Sequence, residues 1–127
     1  MRKITRKGLI RKLDKITSQL VVARDGKCFT CGTTQNLTNG HLFTRGLYVV
    51  RWDLLNSFCL CAGCHLYWWH KHPIEAAEFT KSKLGVFEYN RLNERAQQIK
   101  KWNEHELEIL LEDLTKIYET RTDDTTL

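Results

Sequence analysis

The fold of this chain is decided by residues 51–70, which read RWDLLNSFCLCAGCHLYWWH. They contain the pair Cys61-Ala-Gly-Cys64, and an earlier segment contains the matching pair Cys28-Phe-Thr-Cys31. Two such C-x-x-C pairs are a common ligand set for structural zinc, which is bound tetrahedrally by four thiolates. A redox C-x-x-C or plain buried thiols would not explain two pairs at matched spacing. The sequence therefore predicts one structural zinc ion that ties the two segments together.

Any chemistry must come from residues other than these cysteines, because a four-thiolate site has no open position for water or substrate. The candidates are His41, Asn56 and His65. A histidine can act as a general base near neutral pH, a second histidine can hold a metal ion, and an asparagine amide can orient the base. His65 directly follows Cys64, so the zinc ion would fix where its helix begins.

Three segments resemble the HNH endonucleases that have a ββα-metal fold. They read GHLFTRG at 40–46, VVRWDLLN at 49–56 and CLCAGCH at 59–65. Their combination is most similar to the phage recombination endonucleases of the NinG/Rap type, and the similarity extends over residues 28–92. It implies an α+β fold in which a zinc-stabilised, treble-clef-like ββα-metal core is flanked by N-terminal and C-terminal helices.

The resemblance also implies a role for each candidate residue. His41 would be the general base, and His65 would be a ligand of a catalytic divalent ion such as Mg²⁺. Asn56 would be a structural or orienting asparagine, which holds the base or pins the loop. Zinc would be held by the two cysteine pairs. The implied activity is that of a DNA endonuclease that hydrolyses phosphodiester bonds in branched recombination intermediates.

The chain departs from the broader HNH pattern at two positions. Many members have an Asp or His just before the base, where this chain has Gly40. Some have a second helical histidine four residues after the first, where this chain has Trp69; His70 and His72 lie close by without that spacing. His65 is then the one secure protein ligand of the catalytic metal. The groups expected to complete the shell are Asn39, Asp53, water and a DNA phosphate.

Positive charge is concentrated at the N-terminal end of the chain. The formal net charge is +5, and residues 1–28 carry nine Lys or Arg against two Asp. Such a segment suits DNA or RNA, because each phosphate that is neutralised releases counterions; a solvated helix face is the alternative. Phosphate contacts are predicted for Arg2, Lys3, Arg6 and Lys7 in this segment, and for Arg45 and Arg51 beyond it.

Length and composition favour an ordinary globular domain, with 127 residues, 42% of them hydrophobic and 28% charged. No apolar run approaches the roughly 20 residues that cross a bilayer. The beginning, MRKITRKGLIRK, lacks the apolar core of a secretion signal. A cytoplasmic location is expected, in the bacterial host if the protein is phage-encoded, and no membrane partner is expected.

Apolar periodicity predicts helices over residues 9–24 and 62–71. Between them, GHLFT and GLYVVRW have strand-like composition and are expected to pair as a bent hairpin. Helices continue towards the C-terminus, the last with Asn103 as N-cap and Glu106 completing a capping box. The apolar stripe of that helix is expected to face the core or a second copy, which would make a homodimer through the C-terminal helices.

Three regions are therefore predicted: a basic N-terminal helical arm (1–27), a zinc-bound nuclease core (28–73) and a C-terminal helical region (74–127). Cys59 is expected to be a buried core thiol, with a register-shifted zinc ligand as the alternative. Two other functions stay open. One is a non-catalytic zinc module that binds DNA, and the other is a zinc-stabilised adaptor that binds protein through its C-terminal helices.

Overall fold

The computed structural model describes residues 3–125, without the side chains of residues 122–125. In chain order the elements are α1 (Arg6–Asp25), β1 (Leu37–His41), a 3₁₀ turn (Leu54–Asn56), β2 (Ser57–Cys61), α2 (Ala62–Cys64), a π-helix (His65–Trp69), α3 (Pro73–Leu84), α4 (Val86–Ala96) and α5 (Glu104–Thr125). The expected mixed α+β class is confirmed. Within the described range, no helix has both the length and the apolar character needed to cross a membrane.

The two strands form an antiparallel sheet that leads directly into the helix carrying His65. Leu37 pairs with Cys61, and His41 pairs with Ser57, so the end of β1 lies beside the start of β2. α2 begins at the residue after β2, and the π-helix continues it. The helical segment therefore begins beside the start of β1 and runs back along the sheet, so that Trp69 at its end donates to the carbonyl of His41 at the end of β1.

The predicted hairpin between GHLFT and GLYVVRW is wrong, because β1 ends at His41 and includes only the first two residues of GHLFT. Residues 47–52 form turns, and the partner of β1 is Ser57–Cys61. Val50 and Trp52 are both buried, but they pack into different clusters: Trp52 joins the helical core, and Val50 packs with Leu92. The strand-like composition of this segment reflects burial of individual side chains, because strand propensity depends strongly on context.

The largest hydrophobic cluster lies between α1 and α5. Its buried members are Leu9, Leu13, Ile16, Leu20, Trp52, Leu107 and Leu114. Arg6, at the start of α1, donates to the Trp102 carbonyl just before α5. Arg121, towards the end of α5, donates to the Ala23 carbonyl towards the end of α1, so the helices run parallel. The helix expected over 9–24 is confirmed, and this basic segment is part of the core rather than a free extension.

The start of α5 has the capping box expected from the sequence. Glu106 N–H donates to Asn103 Oδ1 at 2.8 Å, and Asn103 N–H donates to Glu106 Oε1 at 3.1 Å. The apolar stripe of α5 packs against α1 of the same chain. Leu107 and Leu114 of the stripe therefore belong to the core, and the expected homodimer stays a prediction.

Truncation of Leu107 should destabilise the fold strongly. Leu107 is fully buried, so Leu107→Ala should lower the free energy of unfolding by about 2–5 kcal/mol. Ile109 on the same helix is 45% exposed, so Ile109→Ala is the matched control and should change it by no more than about 0.5 kcal/mol. Urea denaturation measures both. Equal midpoints for the two variants would contradict the α1–α5 core.

Candidate metal centre and active-site cleft

Four sulfur atoms converge where the first cysteine pair meets the end of β2. The Sγ atoms of Cys28, Cys31, Cys61 and Cys64 all lie within 4.8 Å of one another, and those of Cys31 and Cys61 are 3.8 Å apart. Four thiolates bound to zinc at about 2.3 Å in a tetrahedron would stand about 3.8 Å apart. The cluster could therefore hold a metal ion such as zinc with little movement.

Backbone turns bring the members of each cysteine pair to one side. Gly32 has a φ of +77°, and its N–H donates to the Cys28 carbonyl at 3.0 Å, which closes the first turn. Other residues would be strained at this φ. In the second pair, Cys64 N–H donates to the Cys61 sulfur at 3.4 Å. An amide that points at sulfur favours the thiolate, which is the metal-binding form.

The thiols of Cys28 and Cys59 differ in acidity. Burial alone would raise the pKa of Cys28, but hydrogen bonds with the Cys31 backbone and the Thr30 hydroxyl outweigh it and lower the pKa to about 5. Burial, followed by the negative charge of Asp25, raises the pKa of Cys59 to about 11. Cys59 is fully buried and lies outside the sulfur cluster, which confirms the expected core thiol.

His41 is the last residue of β1, and a backbone carbonyl orients its ring. Its Nε2 lies 3.0 Å from the carbonyl oxygen of Arg51. A carbonyl only accepts hydrogen bonds, so Nε2 carries the hydrogen, and the lone pair of the neutral ring is on Nδ1. Burial is the main cause that lowers the pKa of His41 below its usual value. The ring is therefore uncharged at neutral pH, as a general base requires.

Asn56 is fully buried and holds the loop before β2 in place. Its Oδ1 accepts from Phe43 N–H at 2.7 Å, and its Nδ2 donates to the carbonyls of Phe43 and Val50 at 2.9 and 3.0 Å. The sequence suggested that Asn56 follows the second strand, but it directly precedes β2. Its contacts are with the backbone of the loop that presents the Arg51 carbonyl, so its influence on His41 is indirect.

His65 is held in the opposite tautomer to His41. The Thr38 hydroxyl donates to the Leu60 carbonyl at 2.7 Å, and the same oxygen lies 2.8 Å from His65 Nδ1. With its hydrogen already used, this oxygen accepts from Nδ1, so the lone pair of His65 is on Nε2. Metal-binding histidines are commonly oriented by a hydrogen bond from the other ring nitrogen. Burial lowers the pKa of His65, and positive charge on His70 lowers it further.

The π-helix places a third histidine beside His65. The N–H of His70 donates to the His65 carbonyl five residues back at 3.2 Å, and the two ring centroids are 4.4 Å apart. Trp69, four residues after His65, is buried instead, and its indole N–H donates to the His41 carbonyl at 3.0 Å. The α-helical spacing assumed from the sequence missed His70, because a single π-turn gives no periodic signal.

These side chains line one cleft of about 380 Å³ between the sheet and the π-helix. Its walls include Asn39, His41, Arg45, His65 and His70. The cleft thus brings two of the three sequence candidates, His41 and His65, onto the same surface. Asn56, the third, lies behind it in the loop.

Asn39 shares the face of β1 with His41, because side chains alternate along a strand. Its Oδ1 is buried and has no hydrogen-bond partner among the described residues. A Cβ on Gly40 would lie 2.5 Å from Leu60 Cδ1, so a larger residue at that position would require the Leu60 side chain to move. Asp53 was the other side chain expected to complete the shell of the catalytic metal. It pairs with Arg95 of α4 and does not line the cleft.

The residues predicted to contact phosphate have different surroundings. Arg51 is buried, with 8% of its side chain exposed, and it pairs with Asp14 at 2.7 Å. Its guanidinium is therefore engaged inside the protein, and the phosphate contact expected of it is not available in this arrangement. The exposed members are Lys3, Arg6, Lys7 and Arg45, while Arg2 lies outside the described residues.

The protein should contain one tightly held zinc ion per chain. Structural zinc contributes on the order of 10 kcal/mol of binding free energy in small peptides, so Cys28→Ser should lose the metal and unfold much of the domain. Cys59→Ala is the matched control, because this thiol lies outside the cluster. It should keep the zinc. Elemental analysis and thermal unfolding measure both effects, and natively purified, folded protein without zinc would rule the centre out.

Comparisons with known proteins found no match to this chain. No family model, curated protein or solved structure matches it. The resemblance to HNH endonucleases stays a prediction from the sequence motifs, and the case for a function depends on the geometry of the cleft.

Proposed function

We propose that this protein is a metal-dependent DNA endonuclease of the HNH type, with β1, β2 and the following helical segment as its ββα-metal core. One observation carries the proposal. His41 and His65 line the same cleft, and their partners leave the lone pair on Nδ1 of the first and on Nε2 of the second. Phosphodiester hydrolysis needs a base for water and a cation for the leaving oxygen, and these two nitrogens suit those tasks.

His41 is the proposed general base. Its Nδ1 accepts a proton from water, and the hydroxide attacks phosphorus. The bond between phosphorus and the leaving oxygen breaks, and that oxygen takes a proton from solvent. The Arg51 carbonyl keeps accepting from Nε2–H, so it orients the ring and stabilises the imidazolium. Asn56 supports this geometry through the loop, because both amide hydrogens are used by loop carbonyls.

Three side chains of the cleft are the proposed ligands of the catalytic ion. His65 offers Nε2, His70 lies beside it, and Asn39 offers a buried oxygen that has no partner in the described part of the chain. Imidazole nitrogens suit Mn²⁺ and other transition metals better than Mg²⁺, which prefers oxygen. When bound, the ion would stabilise the developing charge on the leaving oxygen.

The proposed substrate is DNA, with branched recombination intermediates as its preferred form. Support for a phosphate backbone comes from the basic surface of α1 and from Arg45, which is 65% exposed on the wall of the cleft. The preference for branches is supported by the motif resemblance alone. Zinc in the cysteine cluster would be structural, and the proposed setting is the cytoplasm, where thiols stay reduced.

Zinc-loaded protein should cut labelled DNA when Mg²⁺ or Mn²⁺ is added, and should not cut without an added divalent ion. A panel of linear, flapped and four-way DNA measures the preference for branches. Binding without cutting in either ion would instead identify a DNA-binding zinc module. Neither binding nor cutting would favour the protein adaptor.

His41→Ala and His65→Ala should both stop cleavage, but for different reasons. Loss of a general base typically costs about 10²-fold or more, so His41→Ala should lower the rate by at least that factor with zinc content and DNA affinity kept. His65→Ala should be partly rescued by raised Mn²⁺, because it weakens metal binding, whereas His41→Ala should resist rescue. Cleavage by His41→Ala at the wild-type rate would place the nuclease site elsewhere.

His70→Ala tests whether the π-turn supplies a metal ligand. The Mn²⁺ concentration for half-maximal cleavage should rise by about 10-fold or more, in line with losses of coordinating support at other metal sites. His72→Ala is the matched control, because this exposed histidine does not line the cleft. Titrations of Mn²⁺ that coincide for both variants would remove His70 from the ligand set.

A further inference from the structure

We propose that Asp14 of α1 is a positioning residue for His41, acting through the peptide that joins Arg51 to Trp52. The inference rests on the proposed function, because it concerns the base of that reaction. Three distant parts of the chain meet here: the middle of α1, the loop before β2 and the end of β1.

The Asp14 carboxylate accepts four hydrogen bonds from the loop. Arg51 donates to it through Nε at 3.0 Å and Nη2 at 2.7 Å, and Trp52 donates through Nε1 at 2.8 Å. Arg45 adds a longer bond from Nη2 at 3.4 Å. A carboxylate has about four lone-pair positions, so this loop uses the whole acceptor capacity of Asp14. Burial alone would raise the pKa of Asp14, but the bonds from Arg51 and Trp52 outweigh it and lower the pKa.

The same loop peptide carries the carbonyl to which His41 donates. The side chains of the two residues that flank that peptide, Arg51 and Trp52, both donate to the Asp14 carboxylate. The carbonyl therefore cannot turn away from His41 without disturbing these bonds. Asn56 holds the path of the loop through other backbone groups, so Asp14 and Asn56 restrain different parts of it.

Packing supports this peptide on one side, where Trp52 is buried in the cluster between α1 and α5. A second cavity of about 200 Å³ lies between α1 and β1, and its walls include Asp14, Thr17, Asn39 and His41. Thr17 is 1% exposed, and its hydroxyl has no hydrogen-bond partner in the described residues. Side chains that face a void lose van der Waals contacts on that side. On the side that faces this cavity, the hydrogen bonds of Asp14 restrain the loop.

Asp14→Asn keeps the size of the side chain but removes its charge and sets an amide NH₂ against the Arg51 guanidinium. The carbonyl should then lose its fixed orientation. A displacement of about 1 Å can cost on the order of 100-fold in rate. Cleavage at saturating DNA should fall about 10- to 100-fold. DNA affinity should stay the same or increase, because a negative charge has been removed near the cleft.

The hydrogen bond of His41 can also be followed without any cleavage. In ¹H–¹⁵N spectra of the zinc-loaded protein, the Nε2–H proton of His41 should give a signal protected from solvent exchange. Asp14→Asn should broaden or remove that signal. The matched control is Asp113→Asn, since Asp113 is an exposed carboxylate on α5 that lines neither the cleft nor the second cavity. It should leave the signal and the cleavage rate unchanged.

Two further variants test the route of the effect. Asp14→Glu keeps the carboxylate and should recover part of the rate and of the signal. In an Arg51→Met background, Asp14→Asn should add little, because both changes act on one peptide. Arg51→Lys keeps the positive charge but loses the two-point contact with Asp14. If Asp14→Asn does not fold, the cleavage rate and the His41 signal of Arg51→Lys are compared with the wild type instead.

An unchanged rate or an unchanged His41 signal in folded Asp14→Asn overturns the inference. Equal zinc content and equal thermal unfolding of the variants separate positioning from a general loss of structure. Wild-type protein that does not cut DNA would refute the proposed function, but the His41 signal would still decide whether Asp14 orients the ring. The two failures are therefore distinguishable.

Discussion

The convergence of four thiols at the end of β2 is the constraint on which the rest of the site depends. The sulfur cluster joins the turn after α1 to the end of β2 and to the start of the helical segment that carries His65. Because His65 directly follows Cys64, the sulfur cluster sets where one wall of the cleft begins. The opposite wall is the end of β1, where His41 donates a hydrogen bond to the Arg51 carbonyl of the loop. The candidate metal centre and one wall of the cleft thus share one short segment.

The elements with local signals could be predicted from the sequence. The paired cysteines, the helix α1 and the capping box at Asn103 each depend on residues close in the chain. The loop at 47–52 could not be predicted, because its shape comes from the distant side chains of Asp14 and from Asn56. The same applies to the buried oxygen of Asn39, whose availability depends on what surrounds it in the fold.

The charge asymmetry of the chain has a structural role besides any contact with phosphate. Basic α1 and acidic α5 lie side by side and run parallel, an orientation in which their helix dipoles repel. Opposite charges near the paired ends, such as Lys3 and Glu104 at 3.2 Å, offset part of that repulsion. The N-terminal segment therefore contributes leucines to the core, a carboxylate to the loop and cations to solvent, each from a different face of one helix.

The π-turn changes how such a site can be recognised in other chains. It lengthens the path between the two helical histidines by one residue compared with an α-helix, while their rings stay in contact. Pro73 starts a new helix three residues after His70. A search pattern that requires histidines four apart passes over this arrangement. A pattern that accepts histidines four or five positions apart, with a tryptophan between them, would also find chains in which a π-turn separates the pair.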